Sequence, residues 1–295
     1  GLEMHNTASV AGNVYSNGPI VGFNTVTVDG DAVSAGPSGR IDNFSVTGSG
    51  YAHAIVDAEI GADAHYQTIS GTTVGGASYP GSSDQPQLPL PLDDATIEQF
   101  KSDAAAGGTV TCESYTIDSE TVPLGPVKID CDLTVKGTSI VTLAGPVWVA
   151  GSINISNTTQ IKRSTALGAS SVVLIADDAA DRLNGSRITL SNSTEFIGDP
   201  AAGAYIMLIS QNNSSENGGS VKAISIINSV MGDVVLYAGH GEIALTNSVQ
   251  FAEVTGYKIS ASNSAQIIYS QGLANLNFSS GPSGGYRILS WDDVQ

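Results

Sequence analysis

The sequence is poor in charge, and above all in positive charge. Of its 295 residues only 13% are charged, and 11 Lys and Arg stand against 28 Asp and Glu, which gives a net charge of −17. A field of that sign repels phosphate backbones and anionic lipid headgroups, so we expect no nucleic-acid partner. Gly, Ser, Thr, Asn and Val fill the composition instead, as is typical of many short strands and turns.

Long apolar runs are missing as well. No stretch approaches the about 18 apolar residues that a membrane-spanning helix needs, and the first residues, GLEMHNTASV, have the pattern of a strand rather than of a signal peptide. We therefore expect any export signal or anchor to lie upstream of this chain.

Cysteine occurs only twice, at Cys112 and Cys131, which is too few for a thiolate zinc cage. The two residues flank a short strand-like region, and pairing them would stabilise the fold by about 3 kcal/mol. We predict a disulfide, because disulfides persist in exported proteins. Two separate buried thiols are the alternative.

Recognised catalytic patterns are absent too. There is no G-x-S-x-G, no P-loop and no metal-binding spacing among the four histidines. Asp177-Asp178, Gly239-His240-Gly241 and Lys258 faintly resemble the polygalacturonase set, but Asn157-Thr158-Thr159 lacks the Asp of that set. Inverting hydrolysis also needs two carboxyl groups about 6.5–9.5 Å apart across one bond. We therefore predict no enzymatic activity.

Calcium is the one metal that the sequence suggests. Asp177, Asp178 and Asp181 place three carboxylates within five residues, and carboxylate oxygens are calcium ligands. Neither an EF-hand spacing nor a glycine-rich nonapeptide accompanies them. An acidic, solvated loop is the more ordinary interpretation, so we predict no cofactor and keep calcium as a weak candidate.

Three segments can be distinguished along the chain. Residues 1–79 form short alternating stretches separated by Gly, residues 80–108 hold a Pro-rich linker and a single helix, and residues 109–295 return to a strand pattern. The helix is expected at about 94–106, because an Asp can cap its start and Gly107-Gly108 can end it.

Five segments share an Asn in the middle of an alternating strand pattern. They read INISNTTQI, ITLSNSTEF, ISIINSVMG, IALTNSVQF and ISASNSAQI, with Asn157, Asn192, Asn228, Asn247 and Asn263 at the shared position. An apolar strand such as VVLIAD or YIMLIS precedes each of them, and a loop whose length varies between copies connects the two strands. Fixed strands with variable loops indicate a solenoid.

We predict an all-β fold, a right-handed parallel β-helix with one α-helix inserted after the Pro-rich linker. At a bend of the coil Asn tolerates the turn conformation, and its amide can bond to the Asn of the next coil as a structural ladder. Glycosylation is the competing interpretation, but three of the five asparagines are followed by Ser-Val or Ser-Ala, which do not fit the acceptor pattern.

The ordered set of these elements resembles a known family. NVYSNGPIVG, PLDDATIEQFKSDAAAGG, TLAGPVWVAGSINISN and the closing TGYKISASNSAQIIYSQGLANLNFSSGPSGGYRILSW resemble β-helical surface proteins known as PilX-like pilus-assembly proteins, frequent in candidate-phylum bacteria. The amino-terminal part is similar, more weakly, to bactofilins, which are β-helices that polymerise end to end. The resemblance carries no catalytic residues.

This resemblance implies export by a type IV pilus or related route and an extracellular or cell-surface location. We expect a structural or adhesive module of a pilus-like or surface filament, with filament subunits, further copies of itself and surface glycans as partners. A carbohydrate-binding or carbohydrate-cleaving β-helix is the alternative. Because the ends of a β-helix are unpaired edges, we expect the final FSSGPSGGYRILSWDDVQ to act as a cap or a contact.

Overall fold

Alternating apolar and polar residues produce short parallel strands with one buried face. In Asp132–Lys136, for example, Leu133 and Val135 point inward and are buried while their neighbours are not. Each strand pairs in parallel with its counterpart one coil later, as Leu133 does with Ile153. In this computed structural model the chain therefore winds into a parallel β-helix with three strands per coil, which confirms the predicted all-β solenoid.

The structure describes residues 1–251 and 253–268, and the backbone of two short antiparallel strands, Asn277–Phe278 and Tyr286–Arg287. Apart from these strands, the final segment that was expected to act as a cap lies outside the described residues. Among the described residues, no helix is both long and apolar enough to cross a membrane.

The described coils form two compact units. The terminal unit consists of Gly1–Pro89, Ala244–Gln250 and residues 258–268, and the central unit consists of Leu90–Ile243 and Phe251–Tyr257. Three strands have residues in both units, namely Val234–Thr246, Gln250–Phe251 and Glu253–Ser262.

The terminal unit has short, regular coils. Its first strands are Val14–Ser16, Ala32–Ser34, Gly50–Val56, Ala64–Ser70 and Ser78–Pro80. Its second strands are Leu2–His5, Ile20–Phe23 and Arg40–Asp42, followed by the later residues of Gly50–Val56 and Ala64–Ser70. Its third strands are Ser9–Ala11, Thr27–Val28, Ser45–Val46, Glu59–Ile60, Thr73–Val74 and Gln266–Ile268.

The strand register shows how regular these coils are. Contacts between the earlier coils recur after 18 or 21 residues, and Ser45 and Glu59 are strand partners 14 residues apart. Inside, Ile20, Ile41 and Ile55 lie above one another and are completely buried. The interior of the terminal unit is therefore a stack of aliphatic side chains, one for each coil.

The terminal unit joins distant parts of the chain. Leu2 pairs with Ile259, and Ser9 pairs with Gln266. The coil at residues 258–268 therefore lies directly beside the first coil, although 257 residues of sequence separate the two. Residues 1–79 therefore stack on a coil whose residues come much later in the sequence.

The Pro-rich linker lies along the outside of the terminal unit as an extended strap. Its contacts, from the last coil to the first, are Gly81 with Tyr66, Asp84 with His53, Gln85 with Gly36 and Leu88 with Asn17. The strap thus runs back across successive coils, and its backbone groups find partners on the coils that it crosses.

The central unit has longer coils. Its first strands are Thr109–Val110, Val127–Ile129, Val147–Val149, Val172–Ala176 and Ile206–Ser210. Its second strands are Ser114–Asp118, Asp132–Lys136, Ile153–Ser156, Ile188–Ser191 and Lys222–Ile227. Its third strands are Thr121–Leu124, Ile140–Leu143, Gln160–Arg163, Glu195–Ile197 and Met231–Gly232.

Loops at the corners account for the longer coils. Thr134 and Asn154 are partners 20 residues apart, whereas Asn154 and Thr189 are partners 35 residues apart. The added residues contain two short 3₁₀ helices, Thr165–Leu167 and Pro200–Ala202, and two loops, 177–187 and 211–221.

The predicted disulfide joins Cys112 to Cys131 with the sulfur atoms 2.07 Å apart. Cys112 lies on the first coil of the central unit and Cys131 on the second. Among the described strands, this first coil pairs with a neighbour on one side only. The disulfide fastens it to that neighbouring coil.

The helix was predicted at about 94–106 and is found at Asp94–Ala106. Asp93 caps it by accepting a hydrogen bond from the Thr96 amide at 2.8 Å. Ile97, Phe100 and Ala104 form its buried face and pack on the outer side of the first strands of the central unit. The apolar residues beneath the helix are Val173, Ile175, Tyr205, Met207, Ile209, Val235 and Tyr237.

Candidate functional site

Charged side chains from four elements meet where the helix is docked on the central unit. The helix supplies three, the two corner loops supply three, and the strand Val234–Thr246 supplies one. We call the following residues the helix clasp: Asp94, Glu98, Lys101, Asp177, Arg182, Glu216 and His240.

One half of the helix clasp is a buried ion pair. The Lys101 side chain is 6% exposed and Asp177 is fully buried, with Lys101 Nζ 2.6 Å from Asp177 Oδ2. Arg182 donates to both oxygens of Asp177, from Nε at 2.7 Å and from Nη2 at 2.9 Å. Burial alone would raise the pKa of Asp177, but these hydrogen bonds hold it below its usual value.

Trp148 supports this ion pair. Its indole Nε1 donates to the Asp177 carbonyl at 3.2 Å. Lys101 Nζ lies 4.7 Å and Lys128 Nζ 4.5 Å from the centre of a Trp148 ring, which is cation–π range. The Lys101 ammonium is thus held by the buried carboxylate of Asp177, by the exposed carboxylate of Glu98 at 2.7 Å and by an aromatic ring.

The other half of the helix clasp is centred on His240. Its Nδ1 lies 2.8 Å from Glu216 Oε2 and its Nε2 lies 3.1 Å from Asp94 Oδ1. A neutral imidazole carries only one N–H, so two ionised carboxylates are satisfied together only by the protonated ring. Burial opposes the charge, yet the two hydrogen bonds raise the pKa of His240 above its ordinary value.

The residues that faintly resemble the polygalacturonase set contact other charged side chains in this arrangement. Asp177 is bound by Lys101 and Arg182, and His240 is held between two carboxylates. Lys258 belongs to the terminal unit, where its Nζ is 3.1 Å from Glu3 Oε1. The groups that the sequence suggested for hydrolysis are therefore bound to partners within the protein.

The carboxylates of the weak calcium candidate, at Asp177, Asp178 and Asp181, also form contacts within the protein. Asp178 Oδ1 accepts a hydrogen bond from the Ala180 amide, and Asp181 Oδ1 accepts one from Asn184 Nδ2, both at 3.0 Å. Asp177 is paired with Lys101 and Arg182 within the helix clasp. In the part of the chain that the structure describes, no three His, Cys, Asp or Glu side chains are placed to hold a metal ion.

The five predicted asparagines lie at one kind of bend, directly after the second strand of a coil. All five have left-handed backbone angles, with φ between 54° and 66°, a conformation that Asn adopts more readily than most residues. Asn263 Nδ2 donates to Asn247 Oδ1 at 3.1 Å in the terminal unit, and Asn228 Nδ2 donates to Asn192 Oδ1 at 3.4 Å in the central unit.

The amide ladder of the terminal unit includes residues that the sequence analysis missed. Asn6 Nδ2 donates to Asn263 Oδ1 at 3.1 Å, and Asn24 Nδ2 donates to Asn6 Oδ1 at 2.5 Å. Both have positive φ, as Asn43 does at the next bend. The shared Asn-Thr of HNTASV and FNTVTV, 18 residues apart, was the signal that could have found them.

Two further buried charges were missed. Lys101 follows Ile97 by four residues and precedes Ala104 by three, which places it on the buried helix face and could have marked it as a buried cation. The sequence around Glu253 has no comparable spacing that would predict its burial. Burial raises its pKa to about 7, although Thr255 Oγ1 donates to its Oε1 at 3.3 Å, and its Oε2 finds no partner among the described residues.

No protein-family model, curated protein or solved structure matches this chain. The function is therefore argued from the arrangement of its own residues.

Proposed function

We propose that the protein is a non-enzymatic structural and adhesive module of an extracellular, pilus-like or cell-surface filament. The observation that carries this proposal is how the charged side chains of the central unit are used. Asp177, Lys101 and His240, which would be the natural chemical groups of the central unit, bind one another or other side chains and fasten the helix to the coils. Such an arrangement supports a rigid scaffold rather than a reacting centre.

Open strand edges support assembly with other subunits or with further copies. On the first coil of the central unit, the carbonyls of Glu120 and Leu124 accept hydrogen bonds from Ile140 N and Ala144 N, both at 2.8 Å. Backbone groups alternate between the two sides of a strand, so Pro123 lies with the groups that face away. Among the described strands, none pairs with this side.

The last coil of the terminal unit has a similar open edge. Ala64 N donates to Ala77 O at 2.9 Å and Gly81 N donates to Tyr66 O at 2.8 Å. By the same alternation Pro80 faces away from its neighbour. A proline on each open edge removes one donor, which limits pairing there and leaves strands such as Ser114–Asp118 for a contact between copies.

Assembly is tested by electron microscopy and sedimentation of the purified protein with a variant of the open edge. Ser119 N donates to Lys136 O at 3.2 Å, so the Thr116 amide faces the open side. We expect filaments or discrete oligomers from the wild-type protein and their loss in Thr116→Pro, while Thr116→Val assembles normally. A strictly monomeric wild-type protein at high concentration would contradict assembly through this edge.

The absence of catalysis is tested by incubation with polyuronides and neutral glycans. We expect no soluble products. Product formation that disappears in His240→Ala or Asp178→Asn would overturn the proposal in favour of the carbohydrate-cleaving alternative. The carbohydrate-binding alternative has one supporting observation, a polar cavity on the central unit.

A further inference from the structure

A shallow cavity of about 220 Å³ lies on the outer face of the second strands of the central unit. Its floor is the backbone around Leu133 and Ile153, whose side chains point inward and are buried. Outward-pointing polar side chains of three successive coils line it. The polar lining residues are Asp132, Thr134, Ser152, Asn154, Arg187 and Thr189.

Strand register brings the polar side chains into one row. Thr134 pairs with Asn154, and Asn154 pairs with Thr189, so neighbouring side chains are separated by the strand spacing of about 4.8 Å. Within residues 1–251 and 253–268, none of these three side chains forms a hydrogen bond with the protein. Two hydroxyls and one amide therefore converge on the cavity with their hydrogen-bonding groups unused.

Arg187 adds a cation to this row. Eight of the ten basic side chains in the described ranges lie within 4.0 Å of a carboxylate, and the two exceptions are Arg187 and Lys162. In a chain of net charge −17, an arginine without an acidic partner is unusual. Its guanidinium can bind a planar carboxylate through two parallel hydrogen bonds.

The backbone at the cavity is well fixed. Arg187 O accepts from Ile153 N at 2.7 Å and Arg187 N donates to Ser152 Oγ at 3.3 Å. Asp132 Oδ1 in turn accepts from Ser152 N at 2.7 Å. The base of the Arg187 side chain is thus positioned by the coil below, and one oxygen of the nearby Asp132 is already engaged.

We propose that this cavity binds an acidic saccharide, with the sugar carboxylate on Arg187 and the sugar hydroxyls on Thr134, Asn154 and Thr189. The lining offers hydroxyl and amide groups and no aromatic ring, which suits a small, hydroxyl-rich ligand rather than an apolar one. The excess of negative charge opposes an anionic ligand at long range, so affinity is weak and rests on contact with Arg187.

This proposal names a ligand class for the adhesive role, and to that extent it rests on the proposed function. It involves no bond making or breaking, and it does not depend on filament assembly.

The test is titration calorimetry of the full chain with trigalacturonate, with a neutral galactose trisaccharide as the comparison ligand. We expect trigalacturonate to bind, the neutral sugar to bind at least tenfold more weakly, and Arg187→Ala to lose at least tenfold in affinity. Thr189→Val should lose a smaller factor. Lys162→Ala, which removes the other unpaired cation, is the matched control and should bind like the wild type.

Several results would overturn the proposal: no binding of trigalacturonate by the wild type, equal binding of both sugars, or an equal loss in Arg187→Ala and Lys162→Ala. Circular dichroism of each variant shows whether it is folded, and Arg187→Lys serves if Arg187→Ala is not. Electron microscopy of the same samples reports on assembly, so a failed saccharide site and a failed scaffold function give different results.

Discussion

The two units use the same coil but are held together in different ways. Contacts between neighbouring coils of the terminal unit recur after 14 to 21 residues, and an extended strap covers these coils. Coils of the central unit reach 36 residues, as from Leu190 to its partner Ile226, and carry a helix. The strands therefore stack in the same way in both units, whereas the loops determine which polar contacts each unit forms.

Polar contacts differ accordingly. In the terminal unit the amides of Asn24, Asn6, Asn263 and Asn247 form a continuous chain of hydrogen bonds across four bends. In the central unit a buried ion pair at Asp177 binds a separate helix to the coils. Neutral amides repeat with the coil, but a buried charge requires a specific partner.

The largest expected effect tests the central unit. Asp177→Ala leaves the buried Lys101 ammonium without its buried carboxylate and with only the exposed Glu98, at 2.7 Å, as an acidic partner. We expect a loss of about 3–5 kcal/mol in the stability of the docked helix. Hydrogen exchange should show faster exchange at helix amides, while the terminal unit remains protected.

Asp178→Ala is the control for this change, because Asp178 accepts a hydrogen bond only from its own loop and should cost no more than about 1.5 kcal/mol. Unchanged helix protection in Asp177→Ala would show that the ion pair does not hold the helix. Asp177→Asn provides the same comparison if the alanine variant does not fold.

A smaller effect tests the terminal unit. Asn263→Ala places Ala in a left-handed conformation and removes two side-chain hydrogen bonds, for a combined loss of about 2–3 kcal/mol in urea denaturation. Asn263→Gly keeps the backbone conformation accessible and should recover the conformational part of the loss. Equal losses in the two variants would mean that backbone conformation is not what Asn provides here.

The smallest effect concerns pH. Because the pKa of His240 is raised on folding, its stabilising contribution is complete below the unfolded value of about 6.5 and is lost as the pH rises through the raised value. A third of the side chain is exposed, so we expect at most about 1 kcal/mol. Helix protection should decrease as the pH rises above about 6.5 in the wild type and stay flat in His240→Gln.

Two variants separate His240 from other titrating groups. Glu253, with a pKa of about 7, contributes stability that is lost from about pH 4.5 to 7. We therefore expect Glu253→Gln to change the pH dependence of stability between about pH 4.5 and 7. His53→Gln, which changes a coil residue that contacts Asp84 of the strap, should leave helix protection unchanged. A pH dependence that persists in His240→Gln would assign the effect to another group.

Much of the fold could be predicted because it repeats. Five copies of an Asn segment and a capped helix at residues 94–106 were enough to specify coils, bends and one insertion, since each rests on local backbone preferences. The pairing of Cys112 with Cys131 also followed from the predicted exported context.

The charged contacts could not be predicted, because each joins residues far apart in the chain. Lys101 reaches Asp177 across 76 residues and Asp94 reaches His240 across 146. Asp177 therefore resembled an exposed calcium ligand in the sequence, although it is fully buried in the structure. The pairing of Leu2 with Ile259 left no local pattern either.

That last pairing has a consequence for how the protein is made. Leu2 and Ile259 are separated by 257 residues, and a ribosome adding about 5–20 residues per second needs roughly 10–50 s to cover that distance. During this interval the first coil has no neighbour on one face, so its backbone donors and acceptors are open to wrong partners. Such long-range closure slows folding, and it makes completion of the coil at residues 258–268 the event that shields the coil at residues 2–11.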